Sequence, residues 1–201
     1  SQVVVDSGHI DVNNFQFSHL DRYIRINGRI SDSEKDTIRV NLKEINVGYV
    51  FDIANISDIN FEGDATGTAY ASGVLKKPVL DTRLFIKRFS FNNALLGDLN
   101  IYGAWHNEKE GIFLDAHIKD GTHANTYVNG YIYPLKPASG LDLHINADSL
   151  NIKFLEFYMK DIVQNIQGRG TGKVRLYGKF NGLNLEGSVM TKASLKVGIL
   201  N

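Results

Sequence analysis

Apolar and polar residues alternate along most of this chain. In the segment 38–42, three aliphatic residues alternate with Arg39 and Asn41. In the longer segment 183–197, residues of one parity are apolar or small, and their neighbours are mostly polar. A period of two places one face of a strand on an apolar interior and the other face in water. The pattern therefore predicts a mostly β protein with an antiparallel sheet that is apolar on one face.

Turn signals separate the alternating runs. Asn-Gly pairs occur at 27–28, 129–130 and 181–182, and the segment 137–140 contains proline, serine and glycine. Asn-Gly between two alternating runs is a strong signal for a tight hairpin turn. We therefore predict a long meander of strands that reverses direction at these four places.

One segment breaks the alternation. From Ile152 to Ile166, apolar residues recur at steps of three and four, as they do on one face of a helix. The residues that carry this period are Leu155, Met159, Ile162, Val163 and Ile166. The pattern predicts a helix of about three turns over 154–166 that ends before Gly168 and caps the sheet.

The chain repeats itself at an offset of 105 residues. Gly63 and Gly168 correspond at this offset, and so do the Thr-Gly pairs at 66–67 and 171–172. Repeats of this length commonly stack into one continuous sheet or solenoid. We therefore interpret the chain as copies of one unit in which strands, a short helix and further long strands follow each other.

The repeat divides the chain into three parts. We predict strands of a preceding repeat at 1–35, a first complete unit at 36–140 and the start of a second unit at 141–201. Each unit is expected to have one short helix, which falls at Val47–Ile56 in the first copy. Both ends of the chain have the pattern of a strand, so we expect a piece of a longer protein with exposed sheet edges.

Composition argues against several kinds of function. The chain has 22 basic and 22 acidic residues, so its balanced charge gives no reason to expect nucleic acid as a partner. It has no cysteine, which excludes disulfides, iron–sulfur clusters and thiolate zinc sites. Its six histidines lack helical i,i+4 spacing, and no Gly-x-Ser-x-Gly motif occurs. We predict no enzymatic activity, no cofactor and no metal site.

The segment Gly168–Lys173 has the glycines of a phosphate-binding loop. Such a loop follows a strand and opens a helix, so that the helix N-terminus meets the phosphate. Here the predicted helix precedes the glycines and a predicted strand follows them. We therefore interpret these glycines as part of a strand or of a kink in it.

Four segments resemble the C-terminal region of TamB-like proteins, which belong to the AsmA superfamily. They are Phe154–Phe157, the glycine-punctuated run 166–178, Leu183–Gly187 and Leu96–Trp105. The resemblance covers most of residues 36–201. The sequence departs from the family pattern in lacking a proline directly after Glu156 and in having Asn184 in place of a proline-led turn.

This resemblance implies a long curled sheet with an apolar inner groove, an open form called a β-taco. It implies a periplasmic segment of a cell-envelope protein that is anchored in the inner membrane. The partner implied for the full-length chain is a BamA-type outer-membrane protein, TamA. Two activities are associated with the family, namely phospholipid transport between membranes and assistance to the assembly of outer-membrane proteins.

These observations leave three hypotheses for function. The first is a segment of a lipid bridge, whose apolar groove holds phospholipid acyl chains. The second is a scaffold for protein secretion that offers its sheet edges to incoming strands by β-augmentation. The third is a structural stalk with a filled core and no ligand. An enzymatic β-helix would need short stacked coils and a charged catalytic cluster, and the sequence has neither.

The lipid hypothesis names the residues that would line the groove. Each is an aliphatic residue on the apolar parity of a predicted strand, where side chains share one face of the sheet. The predicted residues are Leu84, Ile86, Leu143, Ile145, Leu183, Leu185, Val189, Leu195 and Val197. A charged residue at this parity would count against the hypothesis, and the closing strand has none.

Overall fold

The computed structural model describes residues 2–49, 60–75, 79–121, 124–133, 139–159 and 163–197. The strands are β1 (Gln2–Asp6), β2 (His9–His19), β3 (Arg22–Ile30), β4 (Thr37–Asn46), β5 (Phe61–Ser72), β6 (Val79–Phe91), β7 (Ala94–His106), β8 (Gly111–Asp120), β9 (Ala124–Tyr133), β10 (Gly140–Asn151), β11 (Val163–Lys179) and β12 (Gly182–Val197). A short 3-10 helix (Asn107–Lys109) and an α-helix, α1 (Leu155–Met159), accompany them, and the described residues Gly48 and Tyr49 also have helical backbone.

The strands form a single open sheet in chain order. Each strand pairs with the next one along the chain, and every pair is antiparallel. The predicted mostly β, antiparallel architecture is therefore confirmed, with β1 and β12 as the two edges of the sheet. Two predicted features lie partly outside the described residues. They are the helix at Val47–Ile56, most of which is affected, and the start of the turn at 137–140.

The register brings the apolar parity of neighbouring strands together in continuous rows across the sheet. One row consists of Val40, Ala69, Thr82, Gly103, Leu114, Gly130, Leu143, Leu176 and Leu185. The next consists of Leu42, Gly67, Leu84, Ile101, Ala116, Val128, Ile145, Val174 and Gly187. We call this side of the sheet the apolar face and the other side the polar face.

Bulges interrupt the strands toward the end of the sheet where the β4–β5, β6–β7 and β10–β11 connections lie. Four of the bulges contain a residue with positive φ whose backbone N–H donates to a side chain of the adjacent strand. The N–H groups of Asn14, Glu44, Arg88 and Ser149 donate to Asn27 Oδ1, Thr66 Oγ1, Asp98 Oδ1 and Thr171 Oγ1, at 3.1, 3.1, 2.9 and 3.0 Å. Bulges bend and twist a strand, so this row curls the sheet over its apolar face.

The helix predicted over 154–166 is wrong from Val163 onward, and residues 160–162 lie outside the described residues. Residues from Val163 onward belong to β11, and both Val163 and Ile166 are buried. Asn165 has a φ of 54° and lies in a bulge, between Gln164 and Gln167, that adds one residue to the strand. An extra residue lets side chains three positions apart share a face. The helical spacing in this stretch therefore came from a strand with a bulge.

Two of the predicted Asn-Gly turns are also wrong. The pairs at 27–28 and 129–130 lie inside β3 and β9, whereas the pair at 181–182 forms the predicted turn between β11 and β12. Gly130 has a φ of 146°, and a Cβ there would lie 2.1 Å from the carbonyl oxygen of Asp142. Glycine is needed at this position because the backbone of the neighbouring strand passes too close for a side chain.

Several hydrogen bonds recur at the offset of 105 residues. After the end of β4 and of β10, an asparagine side chain accepts a bond from the chain two residues later, and the next backbone N–H crosses to a glycine carbonyl. The bonds are Gly48 N to Asn46 Oδ1 (2.8 Å) and Lys153 N to Asn151 Oδ1 (3.0 Å), then Val47 N to Gly63 O (2.9 Å) and Ile152 N to Gly168 O (3.2 Å). These stretches share one local geometry, while the unit boundaries stay a prediction.

The polar face carries charged residues as pairs between adjacent strands. Arg175 donates to the two carboxylate oxygens of Asp142 at 2.7 and 2.8 Å. Arg29 binds Asp11 in the same way, at 2.6 and 3.0 Å. Hydrogen bonding to Arg175 holds the pKa of the Asp142 carboxyl below its usual value of 3.8.

The bulge hydrogen bonds predict a loss of stability when a threonine hydroxyl is removed. We expect Thr171→Val to lower the free energy of unfolding by about 1 kcal/mol, because the Ser149 N–H loses its acceptor. Urea denaturation measures this difference. Thr37→Val is the matched control, since Thr37 is also an exposed strand residue and lies outside the bulges. An equal effect of the two substitutions would contradict the role given to the bulge.

The Asp142–Arg175 pair predicts a pH dependence of stability. A carboxylate with a lowered folded pKa stabilises the fold above its unfolded pKa, and this contribution disappears as the pH falls through the folded value. At neutral pH, we expect the free energy of unfolding of wild type to exceed that of Asp142→Asn by at most about 1 kcal/mol, because the ion pair is partly exposed. In urea titrations, the two proteins should converge as the pH falls through the lowered folded pKa of Asp142. A gap that stays constant with pH would disprove this assignment.

Candidate functional site

The apolar face gathers most of the residues predicted to line a groove. Seven of them lie on this face by their register: Leu84, Ile86, Leu143, Ile145, Leu183, Leu185 and Val189. The backbone of Leu195 and Val197 continues β12, and their side chains lie outside the described residues. The structure therefore places the described members of the set on one side of a single sheet.

Exposure changes along the apolar face from one end of the strands to the other. A row near the bulged end is closed, and it consists of Ala65, Ile86, Leu99, Ile118 and Thr126, all at most 5% exposed. Farther from that end, most side chains of the Val40 and Leu42 rows are only half-buried. On the edge strand, Leu185 and Val189 are 39% and 38% exposed. The face thus forms a groove that is closed at one end and open along β12.

Stacked aromatic rings close the bulged end. The ring centroids of Phe61 and Phe91 lie 5.2 Å apart, those of Phe61 and Phe89 5.9 Å apart, and those of Phe91 and Phe154 5.6 Å apart. We call these four residues the aromatic cap. They join strands β5 and β6 to the segment that leads into α1, and they pack against the buried core.

A hydrogen bond also draws together strands that are not neighbours in the sheet. The side-chain Nδ2 of Asn151, at the end of β10, donates to the carbonyl oxygen of Leu95 in β7 at 3.0 Å. Strands β8 and β9 separate these two strands in the sheet. The bond therefore spans the concave side of the curl and holds it closed beside the aromatic cap.

The segment Phe154–Phe157 packs at the closed end of the groove. The family resemblance depends partly on this segment. Phe154 belongs to the aromatic cap, and Leu155 packs on a small buried cluster of Ile152, Val163 and Ile166. The Glu156 carboxylate accepts a hydrogen bond from the backbone N–H of Ile166, next to the β11 bulge. The helix therefore caps one end of the groove.

The β6–β7 turn is joined to the start of β5. Asn92 in this turn is buried, and its Oδ1 accepts a bond from the backbone N–H of Asn60 at 3.1 Å. The backbone N–H of Asn92 donates to the carbonyl oxygen of Asn60 at 2.8 Å. In α1, burial raises the pKa of the Tyr158 hydroxyl.

The two described rows that begin at Val40 and Leu42 contain no charged side chain. The polar side chain in the closed row, Thr126, is fully buried, and its Oγ1 accepts a bond from the Asp148 N–H at 3.3 Å. Among the described residues, no cluster of three His, Asp or Glu side chains could hold a metal ion. The arrangement offers apolar area and no reactive group.

The residues in the middle of the groove and those of the aromatic cap were not predicted from the sequence. Ile101, Leu114, Val128 and Leu176 lie in the same rows as the predicted residues. Their strands alternate as clearly as the others, so parity could have identified them. The aromatic cap has no such signal. Phe61, Phe89 and Phe91 meet because β5 pairs with β6, and Phe154 joins them only when the sheet curls.

Comparison of the chain with protein-family models, with curated protein sequences and with solved structures gave no match. In the described part of the chain, no helix has the length and apolar character needed to cross a membrane.

The aromatic cap predicts an unequal response to phenylalanine truncation. We expect Phe91→Ala to lower the free energy of unfolding by about 3 kcal/mol, because Phe91 is buried between two other rings. The matched control is Phe85→Ala in the same strand, since Phe85 is 40% exposed on the polar face. Urea denaturation should give a loss below about 1 kcal/mol for this control. Similar losses in both variants would show that the cap has no special role.

Proposed function

We propose that the apolar face binds phospholipid acyl chains, as one segment of a TamB-like protein that transports phospholipid across the periplasm in outer-membrane biogenesis. The observation that carries this proposal is the pair of uncharged rows that runs without interruption from β4 to β12. The half-buried state of their side chains supports it further, since a filled core would leave these residues inaccessible.

The dimensions of the rows suit a flexible hydrocarbon chain. Neighbouring strands lie about 4.8 Å apart, so a row across nine strands extends roughly 40 Å along the curved sheet. An acyl chain gains about 0.8 kcal/mol for each CH₂ group removed from water. Because the surface is apolar throughout, this gain is similar at every position, and a lipid can slide along the groove without a specific site.

The cellular setting of the proposal comes from the resemblance to TamB-like proteins. It comprises the periplasmic location, the inner-membrane anchor and the BamA-type partner of the full-length chain. The direction of the rows is compatible with such a bridge, because they run across the strands. Adding further strands at β12 would lengthen the same groove instead of starting a new one.

A second candidate function is the assembly of outer-membrane proteins by β-augmentation. The observation that favours it is the free edge of β12, a strand of 16 residues that pairs on one side only within the described sheet. Exposed edges of this length are templates for another strand. This function depends on backbone groups at the edge, so it should be insensitive to the polarity of the groove.

Charge placed in the groove should abolish lipid binding. We expect phospholipid to co-purify with the wild-type chain from a membrane-bearing host and to be lost from the double variant Leu185→Asp, Val189→Asp. Both side chains are partly exposed on the apolar face, so carboxylates there should leave the fold intact while disfavouring hydrocarbon. Native mass spectrometry with lipid extraction measures the bound lipid.

A matched control places the same charges on the polar face of the same strand. Ser188→Asp with Met190→Asp should retain the lipid, because both residues are exposed and Met190 is 81% exposed. A folded wild-type protein without lipid would favour the stalk or the scaffold. In that case, a peptide that forms a β-strand would be added. Equal binding of this peptide to wild type and to both double variants would support the scaffold function.

The fluorescence of Trp105 provides a second test of lipid binding in the groove. It is the single tryptophan of the chain and pairs with Ile112 on the apolar face. A phospholipid brominated in the middle of one acyl chain should quench its fluorescence on contact. The double variant Trp105→Phe, Phe113→Trp moves the indole to the polar face of the neighbouring strand and should escape quenching. Equal quenching in both proteins would show adsorption outside the groove.

A further inference from the structure

A second surface with its own chemistry lies on the polar face. It is a shallow depression of about 600 Å³ over strands β5 to β9. The side chains important for its chemistry are Arg83, Phe85, Asn100, Tyr102, Asp115 and Tyr127. They occupy two adjacent rows, one with Arg83, Tyr102 and Asp115, and one with Phe85, Asn100 and Tyr127. Leu84, Ile101 and Ala116 of the groove rows also line the depression. By their parity, the six side chains named above lie on the face of the sheet opposite the groove.

Three aromatic rings are open to solvent in this depression. Phe85, Tyr102 and Tyr127 are 40%, 39% and 46% exposed, although they come from three different strands. Tyr127 is held in place by His117, whose ring stacks on it at 4.3 Å and 3°. His117 is fixed in turn by Asn125, with 2.6 Å between His117 Nε2 and Asn125 Oδ1. Tyr127 therefore has a preorganised orientation, and three exposed rings that a planar or disc-shaped ligand can stack on line one depression.

The polar groups beside these rings have unused hydrogen-bonding capacity. Elsewhere on the polar face, Arg29 and Arg175 bind a neighbouring aspartate directly. Here the β7 strand, with Tyr102, stands between Arg83 and Asp115, and they form no ion pair. Among the described residues, the side chains of Asn100 and Asp115 have no hydrogen-bond partner within the chain. Donors and acceptors therefore surround the Tyr102 ring and are available to a ligand.

The charged residues of the depression indicate which chemical class of ligand it can bind. Arg83 and Asp115 balance each other, whereas a nucleic-acid surface requires an excess of Lys and Arg along the backbone path. An acyl chain would leave the carboxylate and the guanidinium without partners. A sugar ring presents C–H groups on its faces and hydroxyls at its rim, so it matches rings flanked by uncommitted polar groups. The charge balance further favours an uncharged sugar.

We propose that this depression binds a short uncharged glycan. Sugar rings stack on Tyr102 and Tyr127, and their hydroxyls hydrogen-bond to Arg83, Asn100 and Asp115. The open, shallow shape fits a segment of an extended chain better than a single enclosed sugar. Binding of this kind anchors a protein to a polysaccharide and includes no chemical step.

The test is a titration of the folded chain with chitotriose and with cellotriose, followed by amide chemical shifts. We expect shifts confined to β6–β9 and a binding constant that Tyr102→Ala weakens roughly three- to tenfold. Tyr70→Ala is the matched control. Tyr70 is 38% exposed on the same face and has Arg39 5.2 Å from its ring centroid, but it lies outside the depression. The control should bind like wild type.

Several results would overturn the proposal. No shifts with either trisaccharide, shifts spread over both faces, or equal weakening by Tyr102→Ala and Tyr70→Ala would each exclude a glycan site. The same shifts with a short oligothymidylate in place of the sugars would assign the surface to nucleic acid. The double variant Leu185→Asp, Val189→Asp should bind glycan like wild type, so loss of lipid binding and loss of glycan binding are separate outcomes.

Discussion

The structure depends on the curl that its bulges give to one sheet. A single flat sheet of this composition would leave an entire apolar face in water, since the described residues form no second layer over it. At Asn14, Glu44, Arg88 and Ser149, a residue with positive φ widens the strand, and its N–H group donates to a side chain of the next strand. The extra residues at Glu44, Arg88 and Ser149 bend the strands in the same part of the sheet, and the apolar face folds toward itself.

The curl also explains why the two ends of the groove differ. Near the bulges, the sheet closes tightly enough for Asn151 to reach Leu95 across two intervening strands, and the aromatic cap fills the remaining space. Away from the bulges, most side chains of the rows that begin at Val40 and Leu42 are half-buried. One sheet thus combines a packed core that stabilises the fold with an accessible apolar surface. A protein of two packed layers would bury both.

Separate faces let one sheet carry two different chemistries. The apolar rows have no charge, while the polar face combines exposed rings with arginine and aspartate. Alternation along each strand keeps the two sets apart, because neighbouring residues outside the bulges point to opposite sides. A ligand on one face therefore need not compete with a ligand on the other.

The sequence by itself determined the sheet and its two faces, because side-chain parity is a property of the local chain. It identified Leu84, Ile145 and Leu185 as members of one apolar set, and the structure places them on one face. It also led to three errors of one kind, at Asn27-Gly28, at Asn129-Gly130 and at the helix predicted through Ile166. In all three places, a local signal for a turn or helix came from strand backbone with positive φ.

Only the tertiary structure decided the register, the curl and the cap. Register depends on which strands pair, and a single extra residue at a bulge moves every later side chain to the other face. The meeting of Phe61, Phe91 and Phe154, and of Arg83, Tyr102 and Asp115, required those pairings first. These contacts join residues that are far apart in the chain, so no local pattern of the sequence contains them.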